Sequence, residues 1–102
     1  MKTFYEWDVE TLDANGDVQD HDHESKLKAH RQYGAAILSG KRNDLRLVLV
    51  RDVGSDDDGV AERAWAYVKD GKLPDEFDDG TPVPQRFHIE LNSAYKKKET
   101  KQ

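Results

Sequence analysis

Thr3-Phe4-Tyr5-Glu6-Trp7-Asp8-Val9-Glu10-Thr11-Leu12 runs directly into Asp13-Ala14-Asn15-Gly16-Asp17. Tyr5, Trp7, Val9 and Thr11 alternate with Glu6, Asp8 and Glu10, the period-2 pattern of a strand with one aromatic, buried face. Asn15-Gly16 supplies the positive φ angles of a tight hairpin turn. The chain should therefore fold back through Val18 to about Asp22.

Working outward, Ser25 can cap a helix over residues 26–39, in which Leu27, Tyr33 or Gly34, and Ile37 with Leu38 approximate one face and Gly40 is the stop. Leu45-Arg46-Leu47-Val48-Leu49-Val50 is the most apolar run and belongs at the centre of the sheet. The loop Gly54-Ser55-Asp56-Asp57-Asp58-Gly59 leads into a partner strand where Trp65 and Tyr67 face one way and Ala64, Ala66 and Val68 the other. Trp7 and Trp65 are both expected to be shielded. Asp70-Gly71 is a second hairpin signal, and residues 73–80 read as an extended acidic loop. In the last element Phe87, Ile89 and Leu91 alternate like a strand, while Val83, Phe87 and Leu91 repeat every four residues like a helix; Pro82, Pro84 and the following lysines favour the helix. The expected class is α+β: a small, mainly antiparallel sheet with one helix after the first hairpin and a C-terminal helix. Residues 1–95 are expected to form one acidic domain, and 96–102 a flexible lysine-rich tail.

Charge comes in blocks of alternating sign: net −7 over residues 1–24, +6 over 25–51, −7 over 52–82 and +3 over 83–102. Such segregation favours pairing between blocks inside one fold, or separate charged faces for a partner. Leu, Ile, Val and Phe supply 21 of the 102 residues, enough for a thin core. There is no cysteine, so disulfides, thiolate metal sites and cysteine nucleophiles are excluded. No apolar run is long enough to span a bilayer and the first residues do not read as a signal peptide, which points to a cytoplasmic protein and no membrane partner.

Four motifs could carry chemistry. Asp13-x-Asn15-x-Asp17 with Glu24 has the oxygen spacing of a calcium loop, but Val18 stands where that loop needs glycine, and a strand precedes it. In Asp20-His21-Asp22-His23-Glu24 the extended chain points both imidazoles one way, so His21 and His23 are the candidate metal ligands, with His30 or His88 needed to complete a site. Ser39-Gly40-Lys41-Arg42 lacks the phosphate-loop pattern and follows a helix. Asp56, Asp57, Asp58, Asp75, Glu76, Asp78 and Asp79 put seven acids in two loops and are the candidate partner-binding residues. Without the tail, residues 1–95 hold 20 acids against 12 bases, a balance that could imitate a nucleic-acid phosphate rail. No catalytic motif is present and no cofactor is implied.

Tyr5-Glu6-Trp7-Asp8-Val9-Glu10, Leu47-Val48-Leu49-Val50-Arg51-Asp52, Trp65-Ala66-Tyr67-Val68, Gly71-Lys72-Leu73-Pro74, Phe77-Asp78-Asp79-Gly80 and Val83-Pro84-Gln85-Arg86-Phe87-His88 resemble uncharacterised small proteins of bacteriophages. The resemblance implies no activity and no catalytic residues. It implies a phage setting, in which a small protein binds and redirects a host factor, an anti-defence role included. The expected function is that of a small acidic binding protein that engages a basic surface of a host protein. A metal-dependent or hydrolytic domain using His21 and His23 is the alternative, and RNA or DNA binding through the 26–51 basic block comes third; nucleic acid is not the expected partner.

Overall fold

The computed structural model describes residues 3–24, 26–27, 44–54 and 62–94. Four strands, β1 (Thr3–Leu12), β2 (Val18–Glu24), β3 (Leu45–Val53) and β4 (Glu62–Tyr67), precede one helix, α1 (Gln85–Ala94). The sheet is antiparallel throughout in the order β2-β1-β3-β4, an α+β arrangement. The helix expected over 26–39 lies outside the described residues except for 26–27. Asp56, Asp57, Asp58, His30 and the tail from Lys96 also lie outside them.

The first turn differs in detail from the expectation. Asp13 N–H donates to Asp17 O and Gly16 N–H donates to Asp13 O, closing a three-residue loop in which Gly16 alone takes positive φ, at 85°. Asp13 Oδ1 accepts the N–H groups of Asn15 and Asp17, so this carboxylate is a turn clamp. A bulge beside Thr11 and Leu12 then shifts the register. The two-residue turn with both central φ angles positive falls instead at Asp70 and Gly71, φ 54° and 77°, closed by reciprocal Lys69 and Lys72 backbone bonds.

Directly opposite residues in paired strands share a face. Trp7, Leu49 and Ala66 form one such row on the core side, beside Val9 and Leu47. Trp7, Leu47 and Leu49 are fully buried, and with Leu27, Leu73, Phe77, Val83, Phe87 and Leu91 they make the core. Each large apolar side chain so buried contributes about 1.5–3 kcal/mol. Tyr5, Phe77 and Phe87 form an aromatic cluster at its edge, with ring centroids 4.7 Å apart for Tyr5 and Phe87.

α1 resolves the two periodicities of its sequence. Val83, Phe87 and Leu91, spaced by four, are buried, whereas Ile89, which strand alternation would bury beside them, is 56% exposed. Glu90 ties the helix to the sheet: its Oε1 accepts the indole N–H of Trp7 at 3.1 Å and its Oε2 the backbone N–H of Leu27 at 3.0 Å.

One expectation is corrected. Trp65 lies opposite Val50, which lies opposite Glu6, so the register puts its indole on the face away from the core, where it is half-buried; β4 gives the core only Ala64 and Ala66. The face with Glu6, Asp8 and Glu10 is largely covered as well. Asp8 and Glu10 are buried, because β1 is flanked on both sides and its neighbours bring basic and apolar groups over them.

The two indoles should therefore separate in solution. A Trp65→Phe variant, whose fluorescence reports Trp7, should resist acrylamide, and Trp7→Phe should leave a quenchable indole. Leu91→Ala should cost about 2–5 kcal/mol in denaturant unfolding, while Ile89→Ala on the exposed helix face should stay within about 0.5 kcal/mol.

Candidate functional site

On the face away from α1, His23, Asp8, Val48 and Tyr67 form a single row across all four strands. Beside it His21, Glu10 and Arg46 form a second. The hairpin places these side chains, since the strand alternation that sends Trp7 and Val9 inward sends Asp8 and Glu10 to this side and the register sets an imidazole against each.

His23 Nδ1 lies 2.6 Å from Glu6 Oε2 and 2.7 Å from Asp8 Oδ1. A single N–H thus faces two carboxylates. Asp8 is the inner member, its side chain 7% exposed, against 29% for Glu6 and 42% for His23. Burial pushes the Asp8 carboxyl up to about 6; the hydrogen bond from His23 opposes this and the adjoining Glu6 reinforces it. The hydrogen bond to Asp8 raises the pKa of His23, against burial and with the added pull of both carboxylate charges.

The neighbouring row is balanced. Arg46 donates through Nε to Glu10 Oε1 at 2.8 Å and through a second guanidinium nitrogen at 2.6 Å, while its Cζ stands 4.6 Å from the centre of the Tyr67 ring. This contact joins the first acidic block to the basic one, the pairing that the alternating blocks allow, and it occupies Arg46 within the fold. The ring of His21 packs against that of His23 with centroids 4.3 Å apart. His88 sits on α1, on the other side of the sheet; the groups beside the Nδ1 of His23 are the β1 carboxylates. The signal for them was the sequence itself. Pairing about Asn15-Gly16 opposes Asp8 to His23, and the bulge at β2 restores that register after the longer loop.

The second group of acids lies at the opposite edge of the sheet. Residues 75–83 fold into a small hairpin: Val83 N–H donates to Asp75 O, Glu76 bridges to Pro82, and Phe77 N–H donates to Thr81 O. Phe77 is buried and anchors it. Asp78 latches it to β4, its N–H donating to Trp65 O and its Oδ1 accepting Trp65 N–H at 3.0 Å. Asp79 Oδ1 accepts the hydroxyl and the amide of Thr81, which hold its carboxyl below the usual range. Asp75 and Glu76 are exposed, and among the described residues neither forms an ion pair.

No described helix is long and apolar enough to cross a membrane. Comparison of the chain with family models, with curated proteins and with solved structures finds no match.

The cluster of Glu6, Asp8 and His23 makes stability pH-dependent with a definite sign. An acid whose pKa is higher folded than unfolded binds its proton more tightly in the native state, so Asp8 favours the fold at low pH and that advantage is lost between 3.8 and about 6. His23, also raised, stabilises below its unfolded value of 6.5 and loses that contribution as pH climbs through its folded value. Both act in the same direction. In chelator-treated protein, Asp8→Asn should flatten the fall in unfolding free energy from pH 4 to 8 by about 1–3 kcal/mol. Chemical unfolding across that range, compared with wild type, measures it.

Proposed function

We propose that the protein is a small acidic binding protein that engages a basic surface of a partner protein. The observation that supports this reading is the 75–83 hairpin. Its backbone is closed by three successive pairings, its Phe77 is buried and its Asp78 is latched to β4, so Asp75 and Glu76 are held outward on a fixed support. A loop kept only for solubility needs no such support. Groups fixed before binding lose less conformational freedom on association, and exposed carboxylates steer a basic partner by long-range attraction.

Of the seven acids singled out in the sequence, Asp78 and Asp79 hold the hairpin's shape, Asp75 and Glu76 present charge, and Asp56, Asp57 and Asp58 lie outside the described residues. A host protein as partner, and an anti-defence role, rest on the resemblance to phage proteins. Nucleic-acid binding through the basic block is less favoured, since Arg46 is already paired to Glu10.

Asp75→Asn combined with Glu76→Gln tests the proposal without touching the latch. Unfolding free energy should stay within about 0.5 kcal/mol of wild type. Affinity for a partner captured from host extract should fall about 2–10-fold at low salt, with a shallower dependence on ionic strength. Unchanged affinity and an unchanged salt slope would remove this hairpin from the interface.

A further inference from the structure

The carboxylates of Glu6 and Asp8 and the imidazole of His23 converge from two adjacent strands, and every pair of their donor atoms lies within 4.8 Å. Two negative groups face one nitrogen, which supplies at most a single positive charge. Among the described residues the shortfall is sharpest at Asp8, whose side chain is 7% exposed and is backed by the fully buried Val48 opposite it on β3. By contrast Glu10, one row along, has the full charge of Arg46 against it.

From this geometry we infer that Glu6, Asp8 and His23 form a binding site for a divalent transition-metal ion of the zinc class. One imidazole and two carboxylates suit an ion that accepts both nitrogen and oxygen donors; calcium takes six to eight oxygens, and magnesium keeps most of its water. A tetrahedral ion with bonds of about 2.0–2.2 Å holds its donors about 3.2–3.6 Å apart, so the present contacts must open by less than about 1 Å. The partly exposed Glu6 and His23 can give that movement while Asp8 stays fixed. With three protein donors, the fourth position faces solvent and takes water, which makes the site open rather than closed. His21 packs on the His23 ring and acts as its neighbour, not as a ligand.

The test titrates the full chain, first stripped with chelator, with zinc by calorimetry and with cobalt(II) by visible absorption, which reports coordination geometry. The expected result is one ion per chain, raised thermal stability, and a cobalt spectrum of four-coordinate type. Glu6→Gln, Asp8→Asn and His23→Ala should each weaken zinc binding by more than the about 10–100-fold that loss of an outer partner costs. His21→Ala should change it by no more than a few-fold. Absence of stoichiometric zinc or cobalt binding up to millimolar concentration overturns the inference. Binding that survives His23→Ala, or that His21→Ala abolishes equally, overturns the ligand set. Should Asp8→Asn fail to fold, Glu6→Gln and His23→Ala on the more exposed side decide the question, each checked for cooperative unfolding.

Discussion

The nine-pair register between β1 and β3, from Thr3 opposite Val53 to Thr11 opposite Leu45, is the constraint on which the rest of the molecule depends. It sets Trp7 against Leu49 and Val9 against Leu47 on one side, and on the other Asp8 against Val48 and Glu10 against Arg46. A slip of one residue would exchange the two sets, putting carboxylates into the core and the indole outside. The same register gives the two inner acids opposite fates. Glu10 meets a guanidinium; Asp8 meets a valine, so among the described residues its charge is answered by His23 of β2.

Glu90 carries this order from the sheet to the helix. A carboxylate beside a fully buried indole would be costly without donors, but each of its oxygens accepts one, from Trp7 and from Leu27. The bond to Trp7 fixes the rotation of α1, and the four-residue spacing of Val83, Phe87 and Leu91 then decides which face is covered. Helix and sheet are thus coupled by a polar contact at the rim of an apolar core.

Much of this was legible in the sequence because local chemistry and burial agree. Alternation in residues 3–12, the apolar run at 45–50 and the Asp70-Gly71 turn each specify backbone geometry by themselves. Legibility failed where a residue's surroundings depend on a distant strand. Alternation assigns Asp8 and Glu10 to the polar face correctly, but whether that face is wet depends on β2 and β3 flanking β1. In the same way Trp65 looks like a core residue by composition, and only the pairing with Val50 sends it to the other side. The candidate metal site lay between these cases. His23 stood out, but its carboxylate neighbours are read only by carrying the hairpin register through a bulge.

The two edges of the sheet are finished differently, and this bears on self-association. At β4 the Asp78 latch occupies both backbone groups of Trp65, so that edge offers a poor template for another strand. Among the described residues no comparable latch reaches β2, all seven of whose residues are exposed. Its protection is electrostatic. A second copy pairing edge to edge in antiparallel fashion about Asp22 would set Asp20 against Glu24 and Asp22 against itself, a ladder of like charges on one face. The acids of β2 therefore keep one chain from templating the next while carboxylates are ionised, and acidification removes that barrier.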